Sequence, residues 1–221
     1  LDAVGVGLAA SSLPQGEPYR CFSVGGQGDI SLLAGGSLAS AADAALVNGG
    51  LIHSLEFDDT HTGSIVHGSA VLASTVLAVA QACKASPDAA LRAYLTGYEV
   101  FIRIGLAAQG SFQANGFQIT SVAGPLVAAA IATDLMGGNE DDGVNAMGIA
   151  LSQASGVFEF LTNGSSVKSL HPGWAAHAGV MAGRLALLLL GAGLAGAALD
   201  TAGTGATAPK RSRSSIASMS Q

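Results

Sequence analysis

The sequence predicts an all-α fold, and three observations support this prediction. No stretch of the chain shows the alternation of apolar and polar residues that marks a half-buried strand. Tyr94, Tyr98 and Phe101 recur at the three- and four-residue spacing of one helix face. Aromatic residues make up only 5% of the chain, whereas glycine and alanine are abundant. Small side chains let helices approach closely, which favours packed helices over an aromatic-rich β-sandwich.

In the first half of the chain, predicted helices alternate with segments rich in glycine and proline. Pro14, Gly16 and Pro18 predict the end of the first helix. The predicted elements are a buried helix over residues 1–13, a short strand or extended loop over 21–24, a glycine-rich connection over 25–36, an alanine-rich helix over 39–55 interrupted at Gly49 and Gly50, a polar loop over 58–68 and an apolar helix over 69–82.

In the second half, the starts of the helices are the strongest signals. Ser86, Pro87 and Asp88 supply a capping hydroxyl, a first-turn proline and an acid at the positive end of the helix dipole. Asn139 caps a later helix in the same way. The predicted elements are a helix from Ser86 to about Leu106, a loop over 109–118, a helix over 121–136, a helix from Asn139 to about Ser155, a polar loop over 161–173 and a helix over 174–190.

By composition, the chain divides into one domain and a tail. Residues 1–190 form the predicted helical domain, and residues 191–221 are of low complexity and are expected to be disordered. The apolar run over 185–199 is shorter than the roughly twenty residues of a membrane span, so a buried helix is favoured and no membrane partner is expected. The chain begins without a methionine or the basic start of a signal peptide, and we expect residues to be missing upstream.

The charge distribution excludes a nucleic-acid partner. The net charge is −6, and six of the nine cations share residues 1–200 with all fifteen acids, so no basic patch can form there. An anionic small molecule would depend on very few cations. The two cysteines, Cys21 and Cys83, show neither disulfide nor zinc spacing, and a cytoplasmic location is the simplest expectation.

Residues 53–67, HSLEFDDTHTGSIVH, hold three of the five histidines and three of the fifteen acidic residues. Only 11% of the chain is charged, and titratable groups crowded in an apolar chain are typical of proton chemistry. The alternative is a polar helix end with solvated carboxylates. The candidate residues are His53, Glu56, Asp58, Asp59, Thr60, His61 and His67.

A metal site is the second interpretation of this segment. His53, Asp58, His61 and His67 offer nitrogen and oxygen ligands, but their spacing matches no standard zinc or di-iron pattern. The preferred interpretation therefore includes neither a metal nor a cofactor.

Two further segments could contribute polar groups to a site. Lys168 lies on a serine- and glycine-rich loop and is either a solvated lysine or a carboxylate ligand, with His171 as its partner or as a packing residue. His177, inside an apolar helix, is expected to be a core histidine. Residues 116–124 enter a helix whose N-terminal amides could bind an anion, which is a weak signal by itself.

Four stretches together resemble the MmgE/PrpD family, which includes 2-methylcitrate dehydratase, cis-aconitate decarboxylase and iminodisuccinate epimerase. They are NGGLIHSLEFDDTHTGSIVHGSAVLASTVLAVAQ, AYLTGYEVFIRIG, GFQITSVAGPLVAAAIA and SSVKSLHPGWAAHAG. Their order is consistent over residues 1–190, which makes the resemblance far more specific than any single motif.

The resemblance implies a helical domain with an α+β lid domain, usually in a homodimer, and metal-free chemistry on di- or tricarboxylates. It implies catalytic roles for Glu56, Asp59, His67 and Lys168. His67 would be the base or acid, Glu56 and Asp59 would orient it or tune its pKa, and Lys168 would hold a carboxylate. The residues expected to bind substrate are Thr60, Gln118, Lys168 and His171.

Two departures qualify this expectation. Gln118 stands where the family commonly has histidine, and an amide cannot take up a proton at useful pH. The sequence also contains no counterpart of the lid and departs from the family after residue 190, as a truncated member would. We expect a 2-methylcitrate dehydratase-like lyase, with a related decarboxylase or epimerase, a non-catalytic or dimerisation-only fragment, and a metal-binding helical protein as alternatives.

Overall fold

The computed structural model describes the backbone of residues 1–204 and the side chains of residues 1–189. Ten α-helices and two short strands make up this part of the chain. They are α1 (Asp2–Ser11), α2 (Glu17–Ser23), β1 (Ile30–Ser31), β2 (Ser37–Leu38), α3 (Ala41–His53), α4 (Gly68–Cys83), α5 (Pro87–Ala107), α6 (Ser111–Ala114), α7 (Ile119–Leu135), α8 (Glu140–Leu151), α9 (Phe160–Asn163) and α10 (Leu170–Thr204), with 3-10 turns at Pro14–Gly16 and Ser166–Ser169.

The all-α prediction is confirmed. The two strands pair antiparallel over two residues each, with Ile30 opposite Leu38, and every other regular element described is helical. Helix α4 packs against α3, α5 and α7, and α7 also contacts α5 and α8. Leu51, Leu72 and Phe101 are fully buried in this core, because apolar side chains from adjacent helices cover them on all sides.

Small residues let α3 and α10 cross at backbone contact. A Cβ atom added to Gly173 would lie 2.4 Å from the carbonyl oxygen of Leu46, and one added to Gly49 would lie 2.8 Å from Cα of Gly173. No side chain fits at this crossing, so the abundance of glycine has a structural cause here. The contact lies one turn before His53 and two residues after His171, so it fixes the spacing of the two segments that carry them.

Both predicted helix caps are confirmed. The Ser86 hydroxyl accepts a hydrogen bond from the amide of Ala89 at the start of α5. Asn139 and Asp142 form a reciprocal capping box at the start of α8, in which each side chain accepts from the other residue's amide. These contacts are local in sequence, which is why the pattern alone predicts them.

Four element predictions were wrong. Residues 21–24 are not extended but largely the end of α2, because Pro18 occupies the first turn of that helix, where a proline is favourable. Helix α3 is not interrupted at its two glycines, since Gly50 is buried against the ring of Tyr19 and the helix runs through. The predicted loops over 109–118 and 161–173 contain the short helices α6 and α9 and the 3-10 turn.

The chain separates into two units, Leu1–Leu187 and Leu188–Gln221. The first contains the core described above. In the second, the backbone is helical up to Thr204, beyond the end predicted at residue 190, and residues 205–221 of the expected disordered tail lie outside the described residues. Among the helices that the structure describes, none has the length and hydropathy needed to cross a bilayer.

Candidate active site

The segment between α3 and α4 is a loop, as predicted. Helix α3 ends at His53 and α4 begins at Gly68, so His67 occupies the position just before the first turn of α4. His53 and Glu56 therefore do not share a helix face. Glu56 instead has a φ of 53°, in the left-handed region, which is uncommon for a residue with a side chain. His61 pairs with Val66 across this loop.

A cleft of about 750 Å³ opens beside this loop. Glu56 and His67 line it from the loop, and Gln118 and Lys168 line it from distant parts of the chain. The family resemblance implies a catalytic or substrate-binding role for seven residues, and four of these seven line the cleft. Its volume lies within the size range of small-molecule sites. The remaining walls mix hydroxyls with apolar surface, and include Ser54, Ser165, Ser166, Ser169, Ile65, Phe158 and Phe160.

Lys168 and Glu56 form an ion pair across the cleft. The Lys168 ammonium donates to Oε2 of Glu56 at 2.7 Å. The lysine side chain is 22% exposed and the glutamate 57%, so the pair borders solvent and water screens it. A second anion that enters the cleft would compete with Glu56 for the same ammonium group.

His67 is held from both its backbone and its ring. Its amide donates to Oγ1 of Thr120 at 3.0 Å, which ties the loop to the start of α7. Its ring nitrogen Nδ1 lies 3.0 Å from Oγ1 of Thr60 and 3.5 Å from Oδ2 of Asp58. The predicted site residue Thr60 therefore contacts the histidine rather than the cleft wall.

Behind His67 lies a fully buried pair, His53 and Asp58. Nδ1 of His53 lies 3.0 and 2.9 Å from the two carboxylate oxygens of Asp58. Burial raises the pKa of Asp58, but hydrogen bonds from His53 and His67 and the attraction of both rings outweigh it and lower the pKa to about 2. The Asp58 carboxylate is therefore ionised at neutral pH.

Asp59 has different neighbours from Asp58. Its carboxylate accepts from the amide of Ser69 at 3.2 Å and from the hydroxyl of Tyr98 at 2.6 Å. Burial and this hydrogen bond raise the pKa of Tyr98. Asp59 was expected to orient His67, whereas the carboxylate within reach of that ring belongs to Asp58, and Asp59 holds the start of α4.

Gln118 and His171 form a second buried pair. Nδ1 of His171 donates to Oε1 of Gln118 at 2.7 Å. Burial, together with the charges of His53 and Lys168, lowers the pKa of His171 to about 4, so the ring is neutral at neutral pH. Only Gln118 reaches the cleft wall, and His171 supports it from behind.

Three of the four residues of the metal interpretation lie together in the fold. His53, Asp58 and His67 present possible ligand atoms within 4.8 Å of one another. His61 does not join them, since its Nδ1 accepts hydrogen bonds from Ser64. A carboxylate and two imidazoles can hold zinc or iron, although the Nδ1 atoms of both rings face the Asp58 carboxylate.

The two weaker sequence signals have structural roles. His177 is half-buried rather than part of the core, stacks on Trp174 and lies 3.3 Å from a carboxylate oxygen of Asp43. Within residues 116–124, the Thr120 hydroxyl accepts from the amide of His67. Neither observation adds an anion site.

The sequence placed His53 and Asp58 among the candidate residues, but it assigned neither of them a catalytic or substrate-binding role. Both residues belong to the titratable segment, but its loop has no periodicity that tells which of two adjacent aspartates faces inward. The signal that remained was the position of His53 at the end of an otherwise apolar helix, where a buried imidazole needs a polar partner.

Comparisons with known proteins agree with this architecture. A model of the MmgE/PrpD N-terminal domain matches residues 1–210. Cis-aconitate decarboxylase of Aspergillus terreus is 30% identical over 195 residues, which cover 84% of this chain and 39% of that protein. The cis-aconitate decarboxylase-like protein oryM of Aspergillus oryzae is 29% identical over 196 residues, with coverages of 84% and 40%.

A human cis-aconitate decarboxylase is 34% identical over 151 residues, which cover 66% of this chain and 31% of that protein. The chain therefore spans at most about two fifths of the length of these relatives. The family model, in contrast, covers nearly the whole chain. This protein belongs to the MmgE/PrpD family.

Proposed function

We propose that this chain supplies the helical part of the active site of a lyase that acts on a di- or tricarboxylic acid. The observation that carries the proposal is the single cleft lined by Glu56, His67, Gln118 and Lys168. A cation, a proton-transfer group and hydrogen-bonding groups around one space are what the chemistry of a polycarboxylate requires. The chain belongs to the MmgE/PrpD family, and two of its relatives are named cis-aconitate decarboxylase, which supports the same class of substrate.

In this proposal, Lys168 binds a substrate carboxylate. Its ammonium is already paired with Glu56, so the entering carboxylate displaces or shares that contact. Gln118 and the serine hydroxyls of the wall donate further hydrogen bonds, and Gln118 is held for this by His171. The bound carboxylate then has its negative charge next to a cation, where an enediolate developing at the adjacent carbon is stabilised.

His67 transfers the proton. In a dehydration, it removes the proton next to the bound carboxylate, and the hydroxyl leaves the neighbouring carbon as water with the help of an acid. In a decarboxylation, the carbon–carboxylate bond breaks, carbon dioxide leaves, and a His67 ring that enters the reaction protonated donates its proton to the carbanion. An imidazole can serve either reaction near neutral pH. The sequence pointed to dehydration of 2-methylcitrate, and the names of the relatives make decarboxylation of cis-aconitate the first reaction to test.

The test is an assay of the whole chain with cis-aconitate, citrate and 2-methylcitrate. The absorbance of unsaturated acids reports dehydration, and released carbon dioxide reports decarboxylation. We expect turnover of at least one acid and a loss of turnover of about 10²–10⁴-fold in His67→Gln, because general acid–base catalysis contributes that much. Lys168→Met should raise KM and lower kcat, since it removes both the carboxylate ligand and the cation beside the developing enediolate.

Lys84→Met is the matched control, because Lys84 is an exposed lysine at the C-terminal end of α4, the end opposite His67. It should keep wild-type kinetics. Calorimetric titration of the three acids serves as the second measurement. Absence of turnover together with absence of binding that depends on Lys168 would refute the proposal and favour a non-catalytic fragment.

The homodimer remains a prediction of the family resemblance, and the cytoplasmic location remains a prediction from the spacing of the two cysteines. Sedimentation equilibrium of the purified chain tests the first, and fractionation of the source cells tests the second. A monomer at concentrations where the chain is active would reject the homodimer as a requirement for function.

A further inference from the structure

Asp58 lies between two imidazole rings, and only one of them reaches the cleft. The His53 ring donates to both oxygens of the carboxylate, and Nδ1 of His67 lies 3.5 Å from Oδ2. The two rings are 4.6 Å apart at an angle of 68°. The side chains of His53 and Asp58 are completely buried, whereas the His67 side chain is 16% exposed. The three groups thus lead from the core to the cleft wall.

The carboxylate determines which nitrogen of each ring carries the proton. An ionised carboxylate only accepts hydrogen bonds, so a nitrogen that faces it must be an N–H. The pKa of Asp58 is about 2, because its hydrogen bonds from the rings outweigh the effect of burial. A proton on Nδ1 of His67 would face this acceptor across 3.5 Å, and Nε2 would then carry the lone pair. Thr60, also near Nδ1, can accept from the same N–H.

Among residues 1–189, Asp58 is the one polar partner of the His53 ring. Its Nε2 atom is buried and has no hydrogen-bond partner among the described residues. Its Nδ1–H group is shared between the two carboxylate oxygens of Asp58. The ring therefore fixes the carboxylate from the side opposite His67.

We propose that Asp58 is a positioning residue for His67: it holds the imidazole as the Nδ1–H tautomer and leaves Nε2 to exchange the proton in the cleft, with His53 anchoring Asp58 from behind. The arrangement follows the logic of an acid–histidine pair in which the buried carboxylate orients the ring without contacting substrate. Its catalytic meaning rests on the proposed function, whereas the tautomer itself does not.

The adjacent Asp59 supplies a matched comparison. It carries the same side chain one position along the loop, but it accepts from Ser69 and Tyr98 and so anchors the start of α4. If the loss of either carboxylate changed the tautomer of His67 equally, then Asp58→Asn and Asp59→Asn would give the same His67 spectrum. The proposal requires that they differ.

The experiment is a long-range proton–nitrogen NMR spectrum of the whole chain labelled with ¹⁵N-histidine, recorded near neutral pH. The signals are assigned with His53→Gln and His67→Gln. In the wild type, we expect protonated Nδ1 and unprotonated Nε2 for His67. Asp58→Asn should add the Nε2–H tautomer of His67, because a side-chain amide can also donate and no longer requires an N–H from the ring. Asp59→Asn should keep the wild-type tautomer despite a lower Tm.

The wild-type spectrum alone can overturn the proposal, even if Asp58→Asn fails to fold. A neutral His67 ring that carries its proton on Nε2 contradicts it, and so does an Asp58→Asn spectrum with an unchanged tautomer. Stoichiometric zinc or iron in the purified protein would replace it with a metal site. Where the wild type turns over substrate, Asp58→Asn should lower kcat by about 10²–10⁴-fold with little change in KM. A wild type with the expected tautomer and no activity leaves this proposal standing and rejects only the proposed function.

Discussion

His171 should make the stability of this fold depend on pH. Its pKa is lowered from 6.5 to about 4 by burial and by the charges of His53 and Lys168. Between these two values, the unfolded chain binds a proton that the native chain does not. Stability therefore falls as pH decreases through 6.5 and reaches its full loss below about pH 4.

The size of the effect follows from the two pKa values. The gap between them corresponds to about 3 kcal/mol, of which about 2 kcal/mol is lost between about pH 7.5 and about pH 5. Asp58 acts in a lower window, since its depressed pKa makes its stabilising contribution disappear only as pH falls from about 4 to about 2. The two residues can therefore be separated by choosing the pH.

The assay is urea unfolding of the wild type and of His171→Gln at both pH values. The variant is expected to be less stable at either pH because it alters a buried contact with Gln118. The decisive quantity is the loss of unfolding free energy between the two pH values. This loss should be about 2 kcal/mol larger in the wild type than in the variant. Equal losses with unchanged m-values would refute the reasoning.

Two further predictions concern the helices, and unfolding curves at neutral pH test both. Gly173→Ala should lower the unfolding free energy by about 2 kcal/mol, because its Cβ would overlap the backbone of Leu46 at the crossing of α3 and α10. Gly148→Ala is the control, since its new Cβ meets nothing within 4 Å on an exposed helix face. It should raise the unfolding free energy by about 0.5–1 kcal/mol. Equal effects would contradict the crossing geometry. Asn139→Ala should cost about 1 kcal/mol, since it breaks the capping box with Asp142, and an unchanged Tm would show that α8 does not depend on it.

The long helices could be predicted because their signals are local. Ser86 and Asn139 mark helix starts with side chains that bond amides three residues away, and those contacts need no knowledge of the rest of the fold. The errors arose where tertiary contact decides the conformation. Gly50 looked like a helix break, but the ring of Tyr19 packs against it and the helix continues. Propensity gives way to such contacts because it contributes only about 1 kcal/mol per glycine.

The site shows a similar division between local and tertiary information. Crowding of titratable groups drew attention to the loop that carries His67, and Lys168 was a candidate carboxylate ligand on a separate serine-rich loop. The family resemblance placed both in one site, although Lys168 lies 112 positions beyond Glu56 in the sequence. No periodicity connects residues so far apart, so their ion pair at 2.7 Å became visible only in the fold.

The two adjacent aspartates mark the limit of what residue types can tell. Asp58 and Asp59 have the same side chain and sit in the same loop, yet one is buried against two imidazoles and the other holds the amide of Ser69 and the hydroxyl of Tyr98. The backbone turn decides which carboxylate faces the core, and the partners it meets there decide its chemistry. If the cleft is a lyase active site, the choice between these two carboxylates fixes which nitrogen of His67 can exchange a proton with substrate.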